Sequence, residues 1–264
     1  DYGLNFFKKK KIIDVGGGVN PIMNAKNIDI YDFKISKDNI KSFKGNIYKG
    51  DIEEIKLKDK YDVVFLLHTL EHLPNPLKAI NKIKNILNKD GKIFIEIPNF
   101  DYFIKQMPHY AVFHQHLNMY DLKNLKNLFN LANLFIEKIF LKKNVIFCSV
   151  YEIKRTDKIL KVNLEKKIKI LKLNLYKQKK LLTKLCKNNS LNLYGAGGSA
   201  SLLLANHRFI LKKIINIYDS EKRKHNKIFP GTKKFIKKTD LNVKQTSISF
   251  YKINKKNNTF LNKI

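Results

Sequence analysis

Asp14-Val15-Gly16-Gly17-Gly18 is the stretch of this chain whose residue types are best suited to hold a small charged ligand. Glycines let backbone N–H groups approach a ligand closely, and a helix N-terminus beyond them favours anionic groups. A dinucleotide fingerprint opening at Gly16 would need G-x-G-x-x-G, but position 21 is Pro21. What remains is D-x-G-x-G, which sets a carboxylate just before the turn. That arrangement suits a cofactor with an ammonium group as well as a carboxylate, and S-adenosylmethionine has both. Further on, Asp29 at the end of a second short strand can accept both hydroxyls of a ribose, with Asp32 as the alternate. Asp51 offers a carboxylate to an adenine amino group, and Ile52 an apolar wall for its ring.

Five of the seven histidines lie between His68 and His116, which marks that stretch as a candidate site. His68-Thr69-Leu70-Glu71-His72 formally matches H-x-x-E-H, an inverted zinc-protease signature. That chemistry needs both histidines on one helical face, and Pro74 and Pro76 interrupt any helix here, so no metal is expected. Glu71 and His72 read as structural. His109, His114 and His116 fall in a loop-like stretch after a strand end, where ligands bind in parallel sheets. A neutral imidazole there can take a proton from a hydroxyl or an acidic carbon while a methyl group transfers in line.

Gly195-Ala196-Gly197-Gly198-Ser199-Ala200 gives a second turn of the form G-x-G-x-x-A, with Asp219 at a later strand end. Alone, it signals a nicotinamide cofactor.

The first set of segments, together with LLHTLEHL at 66–73 and GKIFIEIPN at 91–99, resembles the class I S-adenosylmethionine-dependent methyltransferases over about residues 10–150. The resemblance implies that Asp14, Gly16, Gly17, Gly18, Asp29, Asp51 and Ile52 bind the cofactor, with His68 lining its adenine side. Asn20 stands where many members have a third glycine, and Asn20-Pro21 can cap the following helix instead. Phe113-His114-Gln115-His116-Leu117-Asn118-Met119-Tyr120 is similar to the Y-H-E-H-L-S-Y-F stretch of sugar-nucleotide C-methyltransferases. That likeness implies His116 as general base, with His114 second, and a nucleotide sugar or surface-glycan precursor as acceptor. Two departures bear on the chemistry: Phe113 has no hydroxyl, and Gln115 cannot ionise. Both bear on enolate formation, and methylation of a hydroxyl, which needs one base, stays open beside it.

YGAGGSA at 194–200, IYDSEKRKH at 217–225 and FPGT at 229–232 resemble the same family's C-terminal Rossmann-like domain. In the family that domain helps close over the sugar nucleotide. The family's N-terminal zinc domain has no counterpart in this sequence, so either the chain is a fragment or its substrate is recognised differently. Three rival readings stay open. They are a nicotinamide-dependent sugar enzyme using Gly195–Ala200, an RNA methyltransferase using a basic surface, and a relative that binds the cofactor without transfer.

The elements that must position these residues are legible from hydrophobic patterning. Short apolar strands at 12–15, 27–30, 63–67 and 92–97 alternate with helical stretches at 76–88 and 122–134. A strand pair at 135–140 and 145–153 follows, and Asp90-Gly91 reads as a turn. This is the pattern of an α/β fold with a doubly wound, Rossmann-like sheet. Leucines and isoleucines at helical spacing from 157 to 187 predict one long amphipathic connecting helix. A second, smaller Rossmann-like α/β unit follows, with strands at 191–194, 214–218 and 247–252. The expected domains are 1–154 for the cofactor, 155–188 for the helix and 189–264 over the acceptor.

The chain of 264 residues carries 53 Lys+Arg against 22 Asp+Glu, a net charge of +31. Only Arg155, Arg208 and Arg223 are arginines, whereas nucleic-acid readers lean on the bidentate guanidinium, so nucleic acid is not the expected partner. The richness in Lys, Asn and Ile is what A/T-rich codons produce. Residues 155–264 nevertheless hold 28 cations against 5 acids, an asymmetry suited to attracting an anionic acceptor. No apolar run approaches a membrane span, and two unmatched cysteines, Cys148 and Cys186, fit a reducing cytoplasm.

Overall fold

In the computed structural model, residues 4–18, 22, 27–35, 43–153, 158–187, 190–238 and 247–249 are described. They form two compact units, Asp1–Tyr102 with His114–Asn163, and Phe103–Phe113 with Leu164–Ile264. These units divide the chain after 163 rather than after 154, and residues 103–113 group with the second.

The first unit is built on a seven-stranded sheet of order β3-β2-β1-β4-β5-β7-β6. Its strands are β1 (Ile12–Val15), β2 (Ile28–Asp32), β3 (Ile47–Lys49), β4 (Tyr61–Leu67), β5 (Leu87–Pro98), β6 (Leu134–Leu141) and β7 (Val145–Glu152). β1 to β5 pair in parallel, and β7 runs antiparallel to both neighbours. All four residues of β1 are buried, as befits a central strand covered on both faces. Ile13, Val15, Val64, Leu66, Ile93 and Ile95 pack in one apolar cluster, and Ile12, Val63, Phe65 and Phe94 in another. The chain leaves β1 toward β2 and β3, then returns to place β4 on the other side of β1. That reversal is the switch point at which doubly wound sheets bind ligands, beyond the C-terminal strand ends.

The helices of this unit are α1 (Leu4–Phe7), α2 (Pro76–Lys84), α3 (Phe100–Gln106) and α4 (Leu122–Leu131). α3 begins in the first unit and ends in the second. Pro76 opens α2, where its missing N–H costs nothing, and the Asn75 side chain caps the helix by accepting from Lys78 N–H at 3.0 Å. α4 starts in a reciprocal cap between Asp121 and Asn124 and ends before Asn133, whose φ of 55° stops the helix short of the expected 134. The Asp90-Gly91 turn is an excursion within β5. Tyr61 pairs with Leu87 while Val63 pairs with Lys92, so the intervening residues loop out of the ladder.

In the second unit, α5 (Leu164–Cys186) precedes β8 (Leu191–Tyr194), α6 (Gly198–Asn206), β9 (Ile214–Asp219), β10 (Ile236–Lys238) and β11 (Ser247–Ser249). The strands form a parallel sheet of order β10-β9-β8-β11. α5 starts later than its hydrophobic spacing suggests. The backbone N–H and C=O of Leu160 are both engaged by the Asn127 side chain, at 2.7 and 2.8 Å, which holds that residue outside the helix. Leu182 and Cys186 of α5 join Leu193, Leu203, Ile217 and Phe229 in this unit's core, so the C-terminal part of the helix is an integral layer of the second unit.

Candidate functional site

The turn after β1 admits no side chain at its three glycines. Gly16 sits at φ 90°, and a Cβ there would meet Thr69 Oγ1 at 2.2 Å. A Cβ on Gly17 would meet Asp14 Oδ2 at 2.2 Å, and one on Gly18 would meet Asp32 Cγ and the Lys34 carbonyl at 2.8 Å. Gly16 N–H donates to Tyr31 C=O at 2.8 Å and Gly18 N–H to Asp32 Oδ2 at 3.0 Å, which ties the turn to the end of β2. Asp14 is buried and accepts from Ile22 N–H at 2.8 Å. Burial pushes its carboxyl up to about 6, against the lowering effect of the Ile22 bond, and the nearby charge of Asp32 adds to the rise. A buried carboxylate with an acidic neighbour is suited to receive a cation. The Asn20-Pro21 cap lies outside the described residues.

Asp29 does not occupy the position expected of a ribose acceptor. β2 runs two residues past Ile30, so Asp29 lies inside the strand opposite Ile13. Its Oδ2 accepts from Tyr61 O–H and its Oδ1 from Asn46 N–H, both at 2.8 Å, and the residue is buried. That carboxylate is an internal brace, and Asp32, half-buried at the last position of β2, holds the strand-end place instead. Asp32 Oδ1 accepts from Lys34 N–H at 2.6 Å. Asp51 is exposed and caps the short turn Ile52–Glu54 by accepting from Glu53 N–H at 2.9 Å, while Ile52 is buried against the main core.

His68 follows β4 at φ 50°, half-exposed between two carboxylates. Its Nδ1 lies 3.3 Å from Glu71 Oε1 and its Nε2 3.0 Å from Glu96 Oε1. The Glu71 hydrogen bond, outweighing burial and joined by the charges of Glu71 and Glu96, raises its pKa and favours the imidazolium. Thr69, passed over in the sequence, links the two strand ends: its Oγ1 lies 3.1 Å from both Val15 C=O and Leu67 C=O.

The chain beyond β4 meets the stretch carrying the candidate base. Asn118 N–H donates to Glu71 C=O at 3.0 Å and Asn118 Nδ2 to Leu73 C=O at 2.7 Å. His72 Nδ1 lies 2.7 Å from Gln115 C=O, and the His72 and His116 rings meet edge to face with centroids 5.0 Å apart. Ligand atoms of Glu71, His72 and His116 lie within 4.8 Å of one another. His116 is half-buried, and burial together with the neighbouring His72, His68 and His114 lowers its pKa against the pull of Glu71. His114 is exposed. Glu71 and His72, read as structural, thus lie beside His116. Their adjacency in H-x-x-E-H is the signal for them, and it lacks its third partner until the fold supplies His116.

His109 is in the second unit, buried, with Nε2 3.0 Å from Ser199 Oγ and Nδ1 2.8 Å from Gln178 Nε2. Burial pushes its pKa down to about 4, with His207 adding to the fall. The second glycine turn is closed by its own acid. Asp219 is buried, and its Oδ2 accepts from Ala196 N–H at 2.7 Å and Lys224 Nζ at 3.1 Å, its Oδ1 from Glu221 N–H at 2.8 Å. The carboxylate a nicotinamide ribose would need is already engaged.

A sheet of this order with a glycine turn after β1 and an acid at the end of β2 defines the class I, S-adenosylmethionine-dependent methyltransferase domain. The chain belongs to the family described as a methyltransferase domain, which matches residues 2–139, just over half its length. An uncharacterized protein of Methanocaldococcus jannaschii is 32% identical over 129 residues, 46% of this chain and 57% of that protein. A ubiquinone biosynthesis O-methyltransferase of Glaesserella parasuis is 42% identical over 41 residues, 16% of this chain and 17% of that protein. The chain thus spans little more than half of the first relative and a sixth of the second. Among solved structures, an S-adenosylmethionine-dependent methyltransferase from Clostridium acetobutylicum aligns with a TM-score of 0.42 at 11% identity, over 53% of this chain and 83% of that one.

Proposed function

We propose that this protein transfers a methyl group from S-adenosylmethionine to a hydroxyl of a sugar, carried as a nucleotide sugar or a surface-glycan precursor. The observation that carries the cofactor half is Asp14, a buried carboxylate behind three glycines that leave no room for a side chain. Asp14 would face the ammonium group, and the backbone at Gly16, Gly17 and Gly18 would lie along the amino-acid portion. Asp32 takes the ribose role first given to Asp29. Asp51, Ile52 and His68 would border the adenine. The bound cofactor supplies an electrophilic methyl on a positively charged sulfur. The protein's part is to orient the acceptor and remove its proton.

His116 is the proposed proton acceptor, with His114 second. The sugar rests on the likeness of residues 113–120 to the sugar-nucleotide C-methyltransferases, and Phe113 and Gln115 favour a hydroxyl over a carbon acceptor. The reducing cytoplasm is the proposed setting, in keeping with Cys148 and Cys186 as buried free thiols. Among the described residues no helix is long and apolar enough to cross a membrane.

Saturable binding of labelled S-adenosylmethionine by the folded chain is the first expected result, and its absence would end this reading. Mass spectrometry of nucleotide sugars and surface glycans from cells with and without the gene should then show one species lighter by a CH2 group. Profiles that are identical in the two would remove the sugar acceptor.

A further inference from the structure

We propose that Glu71, His72 and His116 form a binding site for a divalent cation of the zinc class. The donor set is two imidazoles and one carboxylate, with one ligand atom from each within 4.8 Å of the others. Imidazole-rich sets select zinc and its transition-metal neighbours over magnesium or calcium. Tetrahedral zinc with bonds of 2.0–2.2 Å needs its donors about 3.4 Å apart, so the three must draw together by roughly an ångström.

The surroundings of these donors fit a cation site rather than a chance cluster. Glu71 is only 1% exposed, and its Oε2 is buried with no hydrogen-bond partner among the described residues. Its other oxygen is shared between His68 Nδ1 at 3.3 Å and His72 Nε2 at 3.9 Å. A buried carboxylate oxygen left without a partner is costly, and a cation removes that cost. The hydroxyl of Tyr120 is also buried without a partner among the described residues.

His72 is already set as a ligand. Its Nδ1 faces Gln115 C=O at 2.7 Å, so that nitrogen carries the proton and donates, and the lone pair falls on Nε2, the nitrogen nearer Glu71. A histidine that donates its far N–H to a backbone carbonyl is the usual outer-sphere arrangement of metal-ligating imidazole. Asn118 bonds the carbonyls of Glu71 and Leu73 and thereby ties together the two segments that carry the donors.

The site differs from the H-x-x-E-H reading set aside in the sequence. Leu70–His72 is a single tight turn, not a helix, and His68 bridges Glu71 to Glu96. His116 supplies the third donor from 44 residues further on. Three protein donors leave a coordination position open, as in catalytic rather than structural zinc sites. This inference rests on the methyl-transfer reading and changes one role in it. With the cation bound, His116 is a ligand in place of the proton acceptor, and an acceptor hydroxyl at the open position would lose its proton to solvent more readily.

The test uses the full chain after chelator treatment and exhaustive dialysis. Titration calorimetry with Zn2+ should give one site per chain, and Co2+ should give a visible absorption band of a low-symmetry, four- or five-coordinate centre. His72→Ala and His116→Ala should each weaken Zn2+ binding at least about ten-fold. Glu71→Gln is the companion variant, which keeps the side-chain volume. All three should keep S-adenosylmethionine affinity within about two-fold, which certifies their folding. No stoichiometric Zn2+ binding by the parent chain, or binding unchanged in His72→Ala or His116→Ala, would overturn the site. Loss of S-adenosylmethionine binding in a folded parent chain that still binds Zn2+ would overturn the methyl-transfer reading alone.

Discussion

Gly17 and Asp14 are so closely opposed that a methyl group on Gly17 would lie 2.2 Å from Asp14 Oδ2 and 2.4 Å from its Cγ. The carboxylate cannot simply swing aside, because Oδ2 holds Ile22 N–H at 2.8 Å. Gly17→Ala must therefore displace the group that faces the proposed ammonium site. Overpacking of this kind costs about 1–3 kcal/mol. Calorimetry should show S-adenosylmethionine affinity reduced at least about ten-fold, about 1.4 kcal/mol. An unchanged dissociation constant would mean that Asp14 is not at the cofactor.

Asp14 gives a second prediction, because its fold-imposed pKa works against stability. Its carboxyl stands at about 6 in the folded chain, against an ordinary 3.8, through burial. Above about pH 6 the group is ionised folded or unfolded, and the folded state carries the whole desolvation penalty. As pH falls from about 6 toward 3.8, the folded chain takes up a proton that the unfolded chain does not, and stability rises. At about 1.4 kcal/mol per unit, the penalty at neutral pH is at most about 3 kcal/mol. Asp14→Asn should therefore make the ligand-free protein more resistant to urea at pH 7, while abolishing S-adenosylmethionine binding. In the parent protein, affinity should fall as pH drops below about 6. A variant that is less stable yet still binds the cofactor would contradict both halves.

What was legible in the sequence follows from how local each signal is. The strand at Ile12–Val15, its glycine turn and the run at Val63–Leu67 are continuous in the chain, and their apolar or glycine pattern has one plausible use. The register of β2 is not local. Both Asp29 and Asp32 are acids near a strand end, and only pairing with β1 and β3 shows that Asp29 lies inside the sheet beneath Tyr61. The long helix was legible in its interior but not at its start, which Asn127 sets by taking both backbone groups of Leu160 from 33 residues away. Likewise, nothing in residues 68–72 announces His116 as their neighbour.

The Asp29–Asp32 distinction can be measured. Tyr61 O–H donates to Asp29 Oδ2 at 2.8 Å in a buried setting, where burial and the Asp29 bond push the phenol's pKa well up. Tyr61→Phe leaves a buried carboxylate oxygen short of a donor, a loss of about 1–3 kcal/mol. Urea titration should register that loss while S-adenosylmethionine affinity stays within about two-fold. Asp32→Ala should weaken cofactor binding at least about ten-fold, since hydrogen bonds to charged groups are worth about 1.5–3 kcal/mol, and should also cost stability because Gly18 N–H and Lys34 N–H lose their acceptor. If Tyr61→Phe impairs binding and Asp32→Ala does not, the ribose role returns to Asp29.

Asp219 decides between a structural and a nicotinamide reading of the second glycine turn. Burial raises its carboxyl, but the Glu221 N–H, the Lys224 ammonium and the Ala196 N–H outweigh that and hold it below the usual carboxylate range. A carboxyl lowered in the fold stabilises above its unfolded pKa, and the contribution is lost as pH falls through its folded value. Asp219→Ala removes the acceptor for three donors and should cost about 2–3 kcal/mol at neutral pH. The effect belongs to the turn, so hydrogen exchange at the amides of Ala196 and Glu221 should accelerate most. NADH titration of the parent chain should show no saturable binding, because the carboxylate is already engaged. Saturable NADH binding that Asp219→Ala abolishes would instead make this turn a cofactor site.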